Sequence, residues 1–272
     1  MCPHCRAFIT DKDRVCPYCH ENVGERAIDR RSPTDALGGL IPHERFTTSM
    51  ILLLNVGLFI ATVVLSMKSD NTGALMALDS RTLYQFGAKY RASIFAGEWW
   101  RLMTAGFLHG GLMHIAMNLY VLYDLGPQLE ELYGTNRYLV IYLLSSAGGF
   151  LASTYWANTL SIGASAALFG LIGAMIALGV RGQSSMAAAI RATYIRYAIG
   201  GLLFGLLPYF HIDNAAHIGG LATGFAVAYV AGTPRLVDSA SEQLWRWAAW
   251  ATIALTAWCF LKMYLSFSLQ TQ

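Results

Sequence analysis

Ile162-Gly163-Ala164-Ser165-Ala166-Ala167-Leu168-Phe169-Gly170 opens an apolar run that continues to Val180 without a single charged residue. Its length approaches the ~20 residues that a helix needs to cross a bilayer. A second such run carries Ala216-His217-Ile218-Gly219-Gly220-Leu221-Ala222-Thr223-Gly224. A hydroxyl and an imidazole at membrane depth usually face the protein interior and mark function. If the two runs touch, Ser165 and His217 are a nucleophile and its base.

The rest of the chain agrees with a membrane setting. Of 272 residues, 55% are hydrophobic and only 13% charged, against about 25% charged in a soluble domain; the mean hydropathy is +0.43. The net charge of +3 is small and unclustered, which excludes nucleic acid as a partner. The N-terminus is polar and Cys-rich, without the apolar core of a signal peptide, so the first span is expected to serve as the targeting signal.

Seven apolar spans are predicted: Phe46 to Ser66, a second after Trp99-Trp100-Arg101 to Leu125, Tyr138 to Trp156, Ser165 to Val180, Thr193 to Phe210, Ala215 to Ala231 and Leu244 to Phe267. Thr159 to Gly163 reads as an extended loop dipping into the membrane, tolerable only where protein or a wet cavity surrounds it. Arg-rich flanks and loops predict a cytoplasmic N-terminus and, with seven spans, an extracytoplasmic C-terminus. The segment from Lys68 to Arg101 goes against that bias with five Lys and Arg, but long loops follow the rule poorly.

Four of the five cysteines lie in Cys2-Pro3-His4-Cys5 and Cys16-Pro17-Tyr18-Cys19. Two such knuckles converge on one tetrahedral ion, and four thiolates make a closed structural site. Zinc is the expected metal, with iron the competitor; disulfides are disfavoured at a cytoplasmic end. Residues 1–24 are thus read as a zinc-ribbon-like module, which would dock a cytoplasmic protein partner or position the first span. Residues 25–45 are a linker. Cys259 is a small packing residue.

Around Ser165 and His217 a constellation forms. His114 and Asn118 lie one turn apart on one helical face. Ser165 stands at a helix N-terminus, where amides and the dipole favour developing negative charge. Small residues recur every fourth position in Ala166, Gly170, Ala174 and in Ala216, Gly220, Gly224, a pattern that lets helix backbones approach closely. No Asp or Glu offers itself as a third triad member, so the expected mechanism is a dyad. A transporter would need charged groups deep in several spans, and only Lys262 qualifies.

With these residues in hand, the stretch from about Arg45 to Thr233 resembles the rhomboid intramembrane serine proteases. The resemblance is carried by Gly163-Ala164-Ser165, Ala216-His217-Ile218-Gly219-Gly220, His114-Ile115-Ala116-Met117-Asn118, Trp100-Arg101, and Glu130 in Glu130-Glu131-Leu132-Tyr133-Gly134. It implies an all-α polytopic fold with a six-helix core over residues 46–232, followed by a loop and seventh span over 233–272.

It also implies Ser165 as nucleophile and His217 as general base and acid. His114 and Asn118 would hold the oxyanion with the Ser165 amide, and Gly163, Ala166 and Phe169 would be active-site neighbours, Phe169 beside the His217 ring. Substrates would be membrane-anchored proteins in the lipid bilayer, unwound locally near small residues, and the setting a bacterial inner membrane. Ala166 departs from the family's glycine; its methyl would crowd substrate or the sixth span. The competing reading is a catalytically silent relative that binds membrane-protein clients.

Overall fold

The computed structural model describes residues 15–20, 45–68, 71–207, 212–234 and 240–270. The linker and most of the N-terminal module, with Cys2 and Cys5, lie outside the described residues. The described chain is helical: α1 (Phe46–Lys68), α2 (Ser80–Gln85), α3 (Arg91–Phe95), α4 (Arg101–Thr104) running into a 3-10 turn (Ala105–Phe107), α5 (Leu112–Trp156), α6 (Ser165–Arg181), α7 (Ser185–Phe204), α8 (Asn214–Ala231) and α9 (Ala240–Gln270). Three of them, α1, α5 and α9, are long and apolar enough to cross a membrane, and α6 is a shorter apolar helix. The protein is an integral membrane protein.

α5 is two arms. Helical geometry breaks at Gly134 (φ 71°, ψ 157°), a left-handed conformation that glycine adopts without a Cβ penalty. A Cβ on Gly126 would lie 2.9 Å from the Tyr138 hydroxyl, whereas twelve residues of straight helix span about 18 Å. The chain therefore doubles back at Gly134, and the second and third expected spans form a hairpin.

The second expected span needs correcting at its start. The hydropathy places it directly after Arg101, but the helix begins at Leu112; Leu108 is extended, and Gly111 caps the helix with φ 165°. The fifth also shifts, from Thr193–Phe210 to Ser185–Phe204. There Ser184 caps the helix by accepting from the Ala187 amide, a local signal that outranks hydropathy at a boundary.

α6 is the central helix and is buried along most of its length. Its contact with α8 is backbone on backbone. A Cβ on Gly220 would land on the Ala166 carbonyl oxygen, one on Gly224 on that of Gly170, and one on Gly173 on that of Leu221. Both residue numbers rise together, so α6 and α8 are parallel. The second arm of α5 closes the trio: Gly149 faces the Ala216 carbonyl and Gly148 faces Thr223. Ala166 points its methyl at Gly149, 2.8 Å from where a Cβ there would sit. Ala166 also shares a buried cluster with Ala105, with Phe150 of α5 and with Ala216 of α8, the sixth expected span.

Polar ties hold the rim of this bundle. At the start of α1 the Glu130 carboxylate accepts from the amides of Thr47 (3.0 Å) and Thr48 (3.1 Å) and from the Thr48 hydroxyl (3.0 Å). Those amides are orphan donors of a helix start, and the carboxylate also complements the dipole. Glu130→Ala leaves them buried and unpaired, so a loss of about 3 kcal/mol is expected. Glu130→Gln, which keeps one acceptor, should lose roughly half that. Thermal unfolding in detergent checks the order.

The connection from residue 71 to 111 is a folded cap. Arg101 is fully buried: it pairs with Glu98, donates to the carbonyls of Tyr84 (2.7 Å) and Ala88 (3.1 Å), and stacks on Tyr84 at 4.1 Å. Lys89 is equally buried. Two of the five basic groups that disturb the loop-charge bias are thus held inside the protein.

Asp79 joins this cap to α1. Burial alone would raise its carboxyl, but hydrogen bonds from the Ser66 hydroxyl and from the Thr82 amide and hydroxyl outweigh it and hold the group below its usual 3.8. A lowered folded value contributes stability that is complete above the unfolded pKa and vanishes as pH falls through the folded one. Below about pH 4 the wild type should therefore lose a thermal stability that Asp79→Asn, which has no such charge, does not lose. Melting curves at falling pH measure this.

α9 lies along α5, with Arg137 forming a two-pronged bond to Glu242 (2.6 and 2.8 Å) and Phe107 edge-on to Phe260 at 5.4 Å.

Candidate active site

Ser165 is the first residue of α6, and His217 sits in the first turn of α8. The parallel packing puts the two helix starts side by side, and the glycine contacts bring their axes close enough for the side chains to meet. His217 Nε2 and Ser165 Oγ are 2.9 Å apart. The imidazole lies flat on Phe169, centroids 4.1 Å apart and planes 14° from parallel. Phe169 is wedged in turn against α7, where a Cβ on Gly201 would come within 2.6 Å of its ring. The ring therefore has one orientation, held from behind by an aromatic wall.

His217 is almost wholly buried, and its Nδ1 finds no partner among the described residues. Asp213 caps α8 by accepting from the Ala216 amide at 3.0 Å and takes a hydrogen bond from Ser153. No carboxylate hydrogen-bonds to the imidazole among the described residues, so Ser165 and His217 stand as a pair.

His114 faces the nucleophile from α5. The Gly110 amide donates to its Nδ1 at 3.3 Å, which leaves the proton on Nε2. A Cβ on Gly163 would lie 2.7 Å from that Nε2 and 3.6 Å from Ser165 Oγ. Both atoms thus border the same small space above Gly163, whose φ of 120° suits glycine. Asn118 Nδ2 donates to the His114 carbonyl at 3.0 Å, leaving its second hydrogen for another acceptor. His109, fully buried, sits edge-on to His114 at 5.2 Å. The structure thus gathers Ser165, His217, Phe169, Gly163 and His114 around one point, with Asn118 one turn along and Ala166 behind, against α5.

The described cysteines of the N-terminal module are Cys16 and Cys19, on a turn that the His20 amide closes by donating to the Cys16 carbonyl (2.9 Å).

Residues 96–234 match the family model described as the Rhomboid domain, half of the chain. The chain belongs to the rhomboid family. It is 39% identical over 157 residues to the Rhomboid protease GluP of Bacillus subtilis (strain 168), covering 58% of this chain and 31% of that protein. Over 157 residues it is also 39% identical to the mitochondrial RHOMBOID-like protein 6 of Arabidopsis thaliana, covering 56% of this chain and 50% of the relative. A third relative, Inactive RHOMBOID-like protein 8 of Arabidopsis thaliana, is 30% identical over 226 residues, 75% of this chain and 64% of that one. This rhomboid therefore spans about a third to two thirds of the length of these relatives.

Some residues around the site left no motif in the sequence. Gly201 backs Phe169 from another helix, and Asp213 caps the helix of His217. Asp213 could have been found as an N-cap signal, an Asp three residues before the amide it accepts from. Gly201 could not, because its role depends on which aromatic ring crosses it.

Proposed function

We propose that this rhomboid is an intramembrane serine protease that cuts membrane-protein substrates in or near their transmembrane segments. The observation that carries the reading is the 2.9 Å approach of Ser165 Oγ to His217 Nε2 inside an integral membrane bundle. His217 takes the Ser165 proton as Oγ bonds to the scissile carbonyl carbon. The tetrahedral oxyanion is held by the Ser165 amide at the α6 N-terminus, by His114 Nε2–H and by the free Asn118 hydrogen. One such donor is typically worth ~3 kcal/mol. The imidazolium then protonates the departing amine, and water, activated by the same imidazole, releases the acyl group from Ser165.

The named protease among the relatives supports the reading; the named inactive one defines its rival, a client-binding rhomboid without turnover. A serine-reactive fluorophosphonate probe separates them. Labelling of the wild type that disappears in Ser165→Ala supports the protease. Unlabelled wild type that co-purifies with membrane-protein clients supports the rival.

We further propose a setting for the protein and a role for its accessory module. The N-terminus faces the cytoplasm of a bacterial cell and the C-terminus the outside, with the site opening outward. Cys2, Cys5, Cys16 and Cys19 hold a structural zinc ion, and the module docks a cytoplasmic protein. Elemental analysis finding neither zinc nor iron in purified protein would remove the metal.

A further inference from the structure

The first turn of a helix is a poor place to create a positive charge, because free amides and the positive end of the dipole oppose it. His217 sits in that turn of α8 and is almost wholly buried, so water does little to solvate an imidazolium there. To accept the Ser165 proton, Nε2 must carry the lone pair, which puts the resting proton on Nδ1. That nitrogen has no partner among the described residues. A base built this way needs a negative charge from elsewhere.

Asp213 lies one helical turn before His217. Its carboxylate accepts from the Ala216 amide at 3.0 Å and from the Ser153 hydroxyl of α5, and its carbonyl accepts from the His217 amide at 3.1 Å. All three donors are neutral, and no ion pair joins Asp213 to a cation among the described residues. The cation whose field it meets, Lys89, is wholly buried in the cap and bonded elsewhere. Its Nζ donates to the carbonyls of Ala157 at 2.7 Å and Thr159 at 3.2 Å, and its backbone pairs with Ser161 through two bonds of 3.0 Å. The Asp213 charge is therefore fixed in place without being neutralised, and it acts on the His217 imidazole.

The elements around this end bring few other charges. α6 has none from Ser165 to Val180, and the second arm of α5 has none from Tyr138 to Trp156. Arg191 and Arg196 of α7 are exposed. The first arm of α5 offers His114, whose charge also reaches His217, with His109 beside it.

We propose that Asp213 is a positioning residue that acts on His217 through space, its fixed charge offsetting the imidazolium that forms when Ser165 gives up its proton. The kinetic part rests on the protease reading. Asp213→Asn separates charge from capping, since asparagine caps as well as aspartate and keeps an oxygen for Ala216 and Ser153. With a model transmembrane substrate, kcat should fall about tenfold at neutral pH while KM stays within about twofold. The acid limb of kcat should move down by about one pH unit, because removing a negative neighbour eases loss of the imidazolium proton.

The nitrogen NMR signal of the His217 imidazole, assigned by its absence in His217→Ala, gives a readout that needs no cleavage. It should titrate about one unit lower in Asp213→Asn than in wild type. Titrations that coincide overturn the proposal. A fall in kcat with an unmoved acid limb also overturns it, reducing Asp213 to a helix cap. Should Asp213→Asn not remain folded, Asp213→Ser, another capping residue without charge, takes its place with the same expected and overturning results. If wild type neither labels nor cleaves, the protease reading falls, and the imidazole titration still judges the charge.

Discussion

Ser165→Ala is expected to lower cleavage of a transmembrane substrate by about 10⁶-fold, the loss typical of removing a serine nucleophile. His217→Ala should lose nearly as much, and the double variant no more than either, because nucleophile and base act as one unit. The fold should survive. Among the described residues Ser165 Oγ is bonded only to His217, and the helix contact beside it runs through Gly220 and the Ala166 backbone. Matched amounts of wild type and variants in proteoliposomes, with cleavage followed on gels, give the comparison. Wild type and Ser165→Ala cutting alike would refute the dyad.

The second large effect lies in the helix contact itself. Gly220→Leu forces a side chain into the Ala166 carbonyl oxygen, which is backbone and cannot swing aside. Overpacking commonly costs 1–3 kcal/mol and occasionally more; a collision with main chain belongs to the severe end, at about 4 kcal/mol. The variant should melt far below wild type, and any folded fraction should fail to label, because α8 carries His217 away from Ser165. Gly200→Leu is the control: a Cβ there meets nothing within 4 Å, so stability should hold within about 0.5 kcal/mol. Equal melting of the two variants would show that close approach of α6 and α8 does not decide the geometry.

How far the sequence carried depends on the range of the physics involved. Membrane insertion is a sum over about twenty neighbouring residues, so the apolar runs around Phe46, Ser165 and Leu244 announce themselves. Helix boundaries depend on single caps and breaks. Hydropathy carries through Leu102 to Leu108 while the backbone does not, so it misses the helix start at Leu112, and it places the fifth span late because Ser184 is a polar residue with a local job. Ala166 shows the limit more sharply. Its identity was plain, but which neighbours its methyl meets, Gly149 among them, is decided only by the packed bundle.

The candidate site divides in the same way. Ser165, His217, His114 and Asn118 stand out in the chain because a polar group in an apolar run carries a desolvation cost that has to be answered by function or by a partner. Their separation along the chain says nothing of their separation in space. The 2.9 Å between Ser165 and His217 is decided by parallel helices touching through Gly220 and Gly224, and the tautomer of His114 by an amide at Gly110. Lys89 is the clearest case. In sequence it is one more loop charge. Only when the cap folds against the end of α5 do three carbonyls of the Ser165 loop come within its reach, because hydrogen bonds of that kind form between segments that meet in three dimensions and leave no pattern in either one.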